Sequence, residues 1–170
     1  MRDMRIGSAF VVALLVFVTY IIFSGSVSAY DIVAGIITAV VLGVLFSEFM
    51  VKKPSKVFNP VRWAWLIAYA LYYFFVAEVR AHLDVMYRIL HPRMPVKPGI
   101  IKIPYTVETD YAITSVANSI TNTPGTVVVD IDPKEKVYYV HWINVKSVKP
   151  DEARKHVSET FEKFSRKIFD

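Results

Sequence analysis

The chain has 170 residues, no cysteine and a formal net charge of +5, so it accommodates one ordinary domain or a membrane anchor plus a small domain, and excludes two full enzymatic domains. Without cysteine there is no disulfide framework, no thiolate nucleophile and no sulfur-ligated zinc or iron–sulfur site. Its hydrophobic fraction of 54% lies above the soluble range, and the apolar residues concentrate toward the N-terminus, which marks an integral membrane protein.

Taken in chain order, residues 6–23 form an uncharged run of 18 and residues 32–47 an uncharged run of 16 that continues past Glu48 through Phe49, Met50 and Val51. A helix rises about 1.5 Å per residue, so each run is long enough to cross a hydrocarbon layer ~30 Å thick, with slight thinning or snorkelling. The polar string Ser24-Gly25-Ser26-Val27-Ser28-Ala29 connects them tightly, and residues 1–51 are expected to be a transmembrane helical hairpin. A cleaved signal peptide is the competing reading of the first run, since Arg2 and Arg5 precede it and small residues follow. The apolar stretch is longer than a usual signal core, which favours the hairpin.

The charge excess sits in the middle of the chain. Residues 1–51 carry two basic and three acidic groups, residues 101–170 carry ten of each, and residues 52–100 carry eight basic against only Glu78 and Asp84. A basic block following apolar segments belongs on the cytoplasmic side of a membrane, facing anionic headgroups. A nucleic-acid patch is the alternative; no recognisable binding motif accompanies it, so no nucleic-acid partner is expected.

Residues 52–94 combine this basic loop with a third apolar segment. Residues 63–77 are uncharged and include seven aromatics: Trp63, Trp65, Tyr69, Tyr72, Tyr73, Phe74 and Phe75. Tryptophan and tyrosine favour the headgroup level. Two spans followed by an interfacial helix keep Arg2, Arg5, Lys52, Lys53, Lys56, Arg80, Arg88 and Arg93 on one side, the cytoplasm. A third full span would move Arg80, Arg88, Arg93 and the C-terminal region across, and an outside N-terminus with three spans would strand the lysines at 52, 53 and 56 instead.

Pro92, Pro95 and Pro98 end any helix after Leu90, because proline lacks the amide hydrogen and restricts the residue before it. Residues 95–170 are expected to be a cytoplasmic α/β domain. Residues 100–107 read as a strand that Pro104 confines to an edge or bulge. Residues 109–120 read as a helix capped by Thr109 or Asp110, burying Ile113, Val116, Ala117 and Ile120. Pro124-Gly125 turns into a strand over 126–132 with Val127, Val129 and Ile131 on one face, and Asp132-Pro133-Lys134-Glu135 turns into a second over 137–145. Pro150-Asp151-Glu152 starts a final helix whose buried stripe is Ala153, Val157, Phe161, Phe164 and Ile168. The fold class is thus a membrane helical hairpin plus an interfacial or third transmembrane helix, then β-α-β-β-α with a three-stranded mixed sheet.

No chemistry announces itself. Neither confident span contains an ionisable relay group, and for Glu48, Asp31 and Glu78 a headgroup-level charge is simpler than a proton relay. His82, His91, His141 and His156 show no metal-ligand spacing, and Asp130, Asp132 and Glu135 lack the calcium-loop pattern and its glycine. With no phosphate loop, dinucleotide fingerprint or nucleophile–base pair either, no catalytic, cofactor-binding or metal residue is assigned.

The string Ala117-Asn118-Ser119-Ile120-Thr121-Asn122-Thr123-Pro124-Gly125-Thr126, then Val129-Asp130-Ile131-Asp132 and Tyr139-Val140-His141-Trp142-Ile143, resembles the signature of the MnhE/MrpE family, the E-type subunits of the multisubunit Mrp-type sodium/proton antiporters. The resemblance extends to Asp84-Val85, to the Pro95–Ile100 stretch and to the Phe23-Ser24-Gly25 turn; Asn122 departs from it, standing where an aliphatic residue is usual. It implies a membrane complex that exchanges sodium for protons, or the related antiporter module of archaeal membrane-bound hydrogenases and sulfur reductases. The expected partners are the other membrane subunits of such a complex and the lipid bilayer, and the expected role is that of an accessory component needed for assembly, not an enzyme. The residues themselves read as structure: Ser119 and Thr121 suit a helix end, Pro124-Gly125 a reversal, and Tyr138 and Trp142 the core or a neighbour.

Overall fold

The computed structural model describes residues 2–51 and 53–170, with side chains from Ile6 onward; Met1, Lys52 and the side chains of Arg2 and Arg5 lie outside the described residues. The chain divides into two compact units, residues 1–59 and 60–170.

The first unit is the expected hairpin. α1 (Arg2–Ser24) and α2 (Ala29–Met50) each exceed the hydrocarbon thickness at about 1.5 Å per residue. The turn between them is tied by the Asp31 carboxylate, which accepts 2.6 Å hydrogen bonds from Ser26 Oγ and Ser28 Oγ, while the Asp31 amide donates to Ser28 Oγ. Ser28 therefore caps α2 and satisfies an otherwise orphaned amide. The face of α2 that meets α1 is a ladder of small residues at four-residue spacing, Gly35, Ala39, Gly43 and Ser47, all buried. Lipid is as apolar as leucine, so close backbone approach rather than hydrophobic burial holds such helices together. The approach is very close here: a Cβ at Gly43 would lie 2.8 Å from the Ala9 carbonyl oxygen and 2.9 Å from Ala13 Cβ. Ser8, buried in α1, donates to the Val51 carbonyl at 2.7 Å where α2 ends. A short helix, α3 (Pro54–Val57), follows in the basic loop with Pro54 in its first turn.

The second unit opens with a continuous 31-residue helix over Pro60–Leu90, built from α4 (Pro60–Tyr72), a π turn (Tyr73–Ala77) and α5 (Glu78–Leu90). The π turn holds an extra residue, which keeps Tyr73 and Ala77 on the same side as Tyr69. The strands β1 (Gly99–Pro104), β2 (Thr126–Asp132) and β3 (Val137–Trp142) and helices α6 (Asp110–Asn122), α7 (Pro150–Val157) and α8 (Glu159–Phe169) complete it.

The β-α-β-β-α order stands, with three refinements. The sheet order is β1-β3-β2 with both pairs antiparallel, so the sheet is antiparallel rather than mixed: β3 returns between the two strands that α6 joins. β1 is an edge strand, where Pro104 needs no ladder partner for its missing N–H. In β2 the register slips between Val128 and Asp130, so Val128 and Ile131 pack inward while Val127 and Val129 are exposed, against the expectation of one shared face. The final helix breaks at Ser158 (φ −118°, ψ −25°), and the turn lets Ala153, Phe161 and Ile168 all bury, with Val157 and Phe164 packed partly buried beside them.

The core is formed by Ile101 and Ile103 of β1, Val116 and Ile120 of α6, and Tyr138, Val140 and Trp142 of β3, with the α7 and α8 residues above. Fully burying each aliphatic side chain stabilises by roughly 1.5–3 kcal/mol. Thr109 caps α6, accepting from the Ala112 amide at 3.3 Å.

Because Gly43 sits against backbone that cannot move aside, Gly43→Leu is expected to separate α1 from α2 and destabilise the detergent-solubilised chain by about 1–3 kcal/mol. The fall in thermal unfolding midpoint measures it; an unchanged midpoint would mean the hairpin does not rely on this contact.

Candidate functional site

The signature segment and the long helix meet along one seam within residues 60–170. At the end of α6, Ser119 Oγ donates to the Ser115 carbonyl at 2.9 Å and shares a short, buried hydrogen bond with the Tyr69 hydroxyl of α4. Thr123 Oγ1 closes the helix end on the Ser119 carbonyl at 2.6 Å, and Thr126 Oγ1 donates to the Ile120 carbonyl at 2.7 Å. Thr121 Oγ1 accepts from the Val128 amide, tying α6 to β2. The hydroxyls of this threonine- and serine-rich string thus all bind backbone: those of Ser119, Thr123 and Thr126 serve carbonyls of α6, and that of Thr121 serves an amide of β2. Gly125 has φ +94°, a conformation costly for any residue with a Cβ, and such a Cβ would lie 3.0 Å from Ile143 Cγ2 and 3.6 Å from Val85 Cγ2 of α5. The Gly125 carbonyl accepts from the Ile143 amide.

The seam itself is aromatic. Phe164 of α8 stacks against both Tyr69 (5.2 Å between ring centroids) and Tyr72 (5.4 Å), and meets Trp65 edge-on at 6.2 Å. Phe161 packs against Tyr69 and Tyr73. Both ends are polar. Arg62 donates to the Ile168 carbonyl at 2.5 Å, and Lys167 Nζ sits 3.6 Å from the Trp65 ring centre. At the far end the buried Arg88 guanidinium grips Asp84 through two bonds (2.7 and 2.9 Å) and the Pro95 carbonyl at 2.5 Å; Asn144, with its amide oxygen turned toward it, accepts at 3.0 Å. A second buried charge, Glu162, accepts from Arg154 on both oxygens, from Ser158 Oγ, and from the Thr106 amide and hydroxyl. Burial pushes the Glu162 carboxyl up, but these donors outweigh it and hold the group below the ordinary carboxylate value.

The residues weighed for chemistry lie apart. Asp132 Oδ1 accepts from the Lys134 and Glu135 amides of its turn, Asp130 Oδ1 from the Ile131 amide, and Glu135 pairs with Lys102. His82 Nδ1 lies 2.8 Å from the Glu78 carbonyl oxygen and 3.4 Å from the Glu78 carboxylate, His91 packs on Tyr87, His156 on Trp142, and His141 lies on β3. Among the described residues no group of three or more metal-ligating side chains converges. Glu78 lies at the π turn, where its Oε1 and the Tyr73 hydroxyl are buried without a hydrogen-bond partner among the described residues. Tyr138 and Trp142, left open between core and neighbour, are core residues, and the Tyr138 hydroxyl donates to the Ile113 carbonyl at 3.0 Å. The π turn, the Tyr69–Ser119 bond and buried Glu162 were not legible beforehand. The Asp84–Arg88 pair carries one sequence signal, its i, i+4 spacing on a helix.

The arrangement is a seam built between the long helix, α6 and α8, and the chain that carries it has relatives. The family model described as Na+/H+ ion antiporter subunit, MnhE, matches residues 13–168. This chain belongs to that family. Among its E-type relatives, the one from the Na(+)/H(+) antiporter of Bacillus subtilis is 30% identical over 163 residues, covering 94% of this chain and 98% of its own. The corresponding antiporter protein of Alkalihalophilus pseudofirmus is 27% identical over 150 residues, covering 88% and 90%. In structure, the MnhE-family chain resembles a chain of the membrane-bound sulfane sulfur reductase, an archaeal respiratory membrane complex, with TM-score 0.82 and 31% identity over 96% of this chain and 99% of that one. The family expected from the resemblance is thereby the family shown.

Two measurements test the seam. Tyr69→Phe and Ser119→Ala are each expected to cost about 1 kcal/mol of stability, and the double variant less than their sum, since both remove one hydrogen bond. For Glu162, whose folded value lies below the usual 4.5, the contribution is present at neutral pH and lost as pH falls through its folded value. Glu162→Gln should lower stability at pH 7 by roughly 2 kcal/mol and flatten the acid limb of the stability–pH curve.

Proposed function

We propose that this chain is an accessory, non-ion-conducting subunit of a multisubunit Na+/H+ antiporter module, serving the assembly and stability of the membrane complex. The observation that carries the reading is the content of the two hairpin helices. Residues 6–23 and 32–47 hold no Asp, Glu, Lys, Arg or His, and a path for sodium or protons through hydrocarbon needs such groups to receive the charge. The α1–α2 contact is closed by small residues against backbone, leaving no room there for a file of water. Ion movement then belongs to companion subunits, and this chain performs no catalysis. The hydrogen-bonded, buried signature also supports a part in shaping this fold rather than in transport.

The likeness to a chain of a respiratory sulfur reductase supports a host of that general kind, an antiporter module coupled to a membrane-bound redox complex, with other membrane subunits and lipid as partners. The basic excess of residues 52–100 supports a cytoplasmic C-terminal domain.

Affinity purification of the tagged chain from its own membranes in mild detergent is expected to bring large membrane subunits with it. Recovery as a lone monomer, or sodium-dependent proton flux from the purified chain alone in liposomes, would overturn the reading.

A further inference from the structure

The helix over Pro60–Leu90 has the length and composition of a third membrane span. Its contacts are those of a different element. The α/β part of the same unit packs along it from the first turn to the last: Arg62 bonds to the end of α8, Tyr69 and Tyr73 pack on Phe161, Val85 faces Gly125, and Arg88 holds the Pro95 carbonyl. From position 62 to 88 the helix rises about 39 Å, more than the ~30 Å hydrocarbon layer. Were the helix upright across the bilayer, the body seated along it would stand in hydrocarbon. That body carries ten basic and ten acidic residues over 101–170 and has two open sheet edges, β1 and β2. Lipid satisfies neither exposed charges nor unpaired strand edges.

The opposite side of the helix has the reverse character. Ile67, Leu71, Phe74, Phe75, Leu83 and Met86 are all exposed and apolar. Arg80, and beyond the helix Arg93 and Lys97, stand exposed nearby in sequence, within a stretch whose charge complements anionic headgroups. We infer that the Pro60–Leu90 helix lies in the plane of the membrane, its outer apolar face sunk into one leaflet of an anionic bilayer and its inner face covered by the water-exposed α/β domain. It is a floor for that domain and not a crossing. The chain then crosses the bilayer twice, and residues on either side of this helix share one compartment.

The natural absence of cysteine makes the test direct, because each introduced thiol is unique. Ser55 precedes the helix, Lys134 follows it, and both are exposed. In the full chain in sealed native vesicles, S55C and K134C are expected to react with a membrane-impermeant maleimide in the same vesicle orientation, with loss of labelling at both in the opposite one. Labelling from opposite faces would overturn the inference. A benzophenone carried on F74C in native membranes is expected to crosslink to phospholipid; an adduct with another protein instead would show that the face is a contact between subunits and overturn the lipid assignment. Both readouts concern topology alone, so they stand or fall separately from the transport role tested by co-purification.

Discussion

The packing of Phe161 and Phe164 against Trp65, Tyr69, Tyr72 and Tyr73 joins the long apolar helix to the α/β part of the same unit, and much of residues 60–170 is arranged to permit that one contact. α8 must present phenylalanines to the long helix while Ile168 and Ser165 remain buried. The break at Ser158 allows α8 to take its own direction, and the same serine hydroxyl then becomes a donor to Glu162. The π turn keeps the aromatic row continuous where a regular helix would rotate it away. Aromatic pairs of this kind contribute about 0.5–1.5 kcal/mol each beyond their burial, so a cluster of them outweighs any one polar bond in the seam.

The two units solve opposite problems. In the hairpin the surroundings reward no apolar burial, and glycine and alanine let the backbones approach until dispersion and fixed geometry suffice. In the α/β unit burial drives the fold, and the difficulty is the polar group caught inside. Glu162 and Arg88 show how that is met, each wrapped by donors or acceptors on several sides and each joining segments far apart in sequence. The signature string acts in the same manner: its hydroxyls close a helix end, its glycine admits the close pass of α5, and its serine reaches the long helix.

How much of this could be read beforehand depended on whether a feature was local. The hairpin, the Thr109 cap, the Pro150 start and the edge position forced by Pro104 follow from neighbouring residues and were legible. The antiparallel pairing was not, because nothing in β1 or β2 says that a later strand will come between them. Val127 and Val129 were assigned by alternation, which a single bulged residue reverses. The stripe from Ala153 to Ile168 was correct in its members, yet periodicity is blind to a break that preserves it. Glu162 gave no sign at all, since its neighbours Phe161 and Lys163 are as compatible with an exposed carboxylate as with a buried one. The family signature was legible as a pattern, while what it touches, Tyr69 and Val85, lies tens of residues away.

The slipped residue in β2 has a bearing beyond register. β2 is an outer strand of a sheet only three strands wide, rich in valine, and a straight valine-rich margin invites stray chains to add themselves to it. The bulge at Val129 bends that margin, and Asp130 and Asp132 place negative charge along it. An outer strand built this way is a poor template for fibril growth.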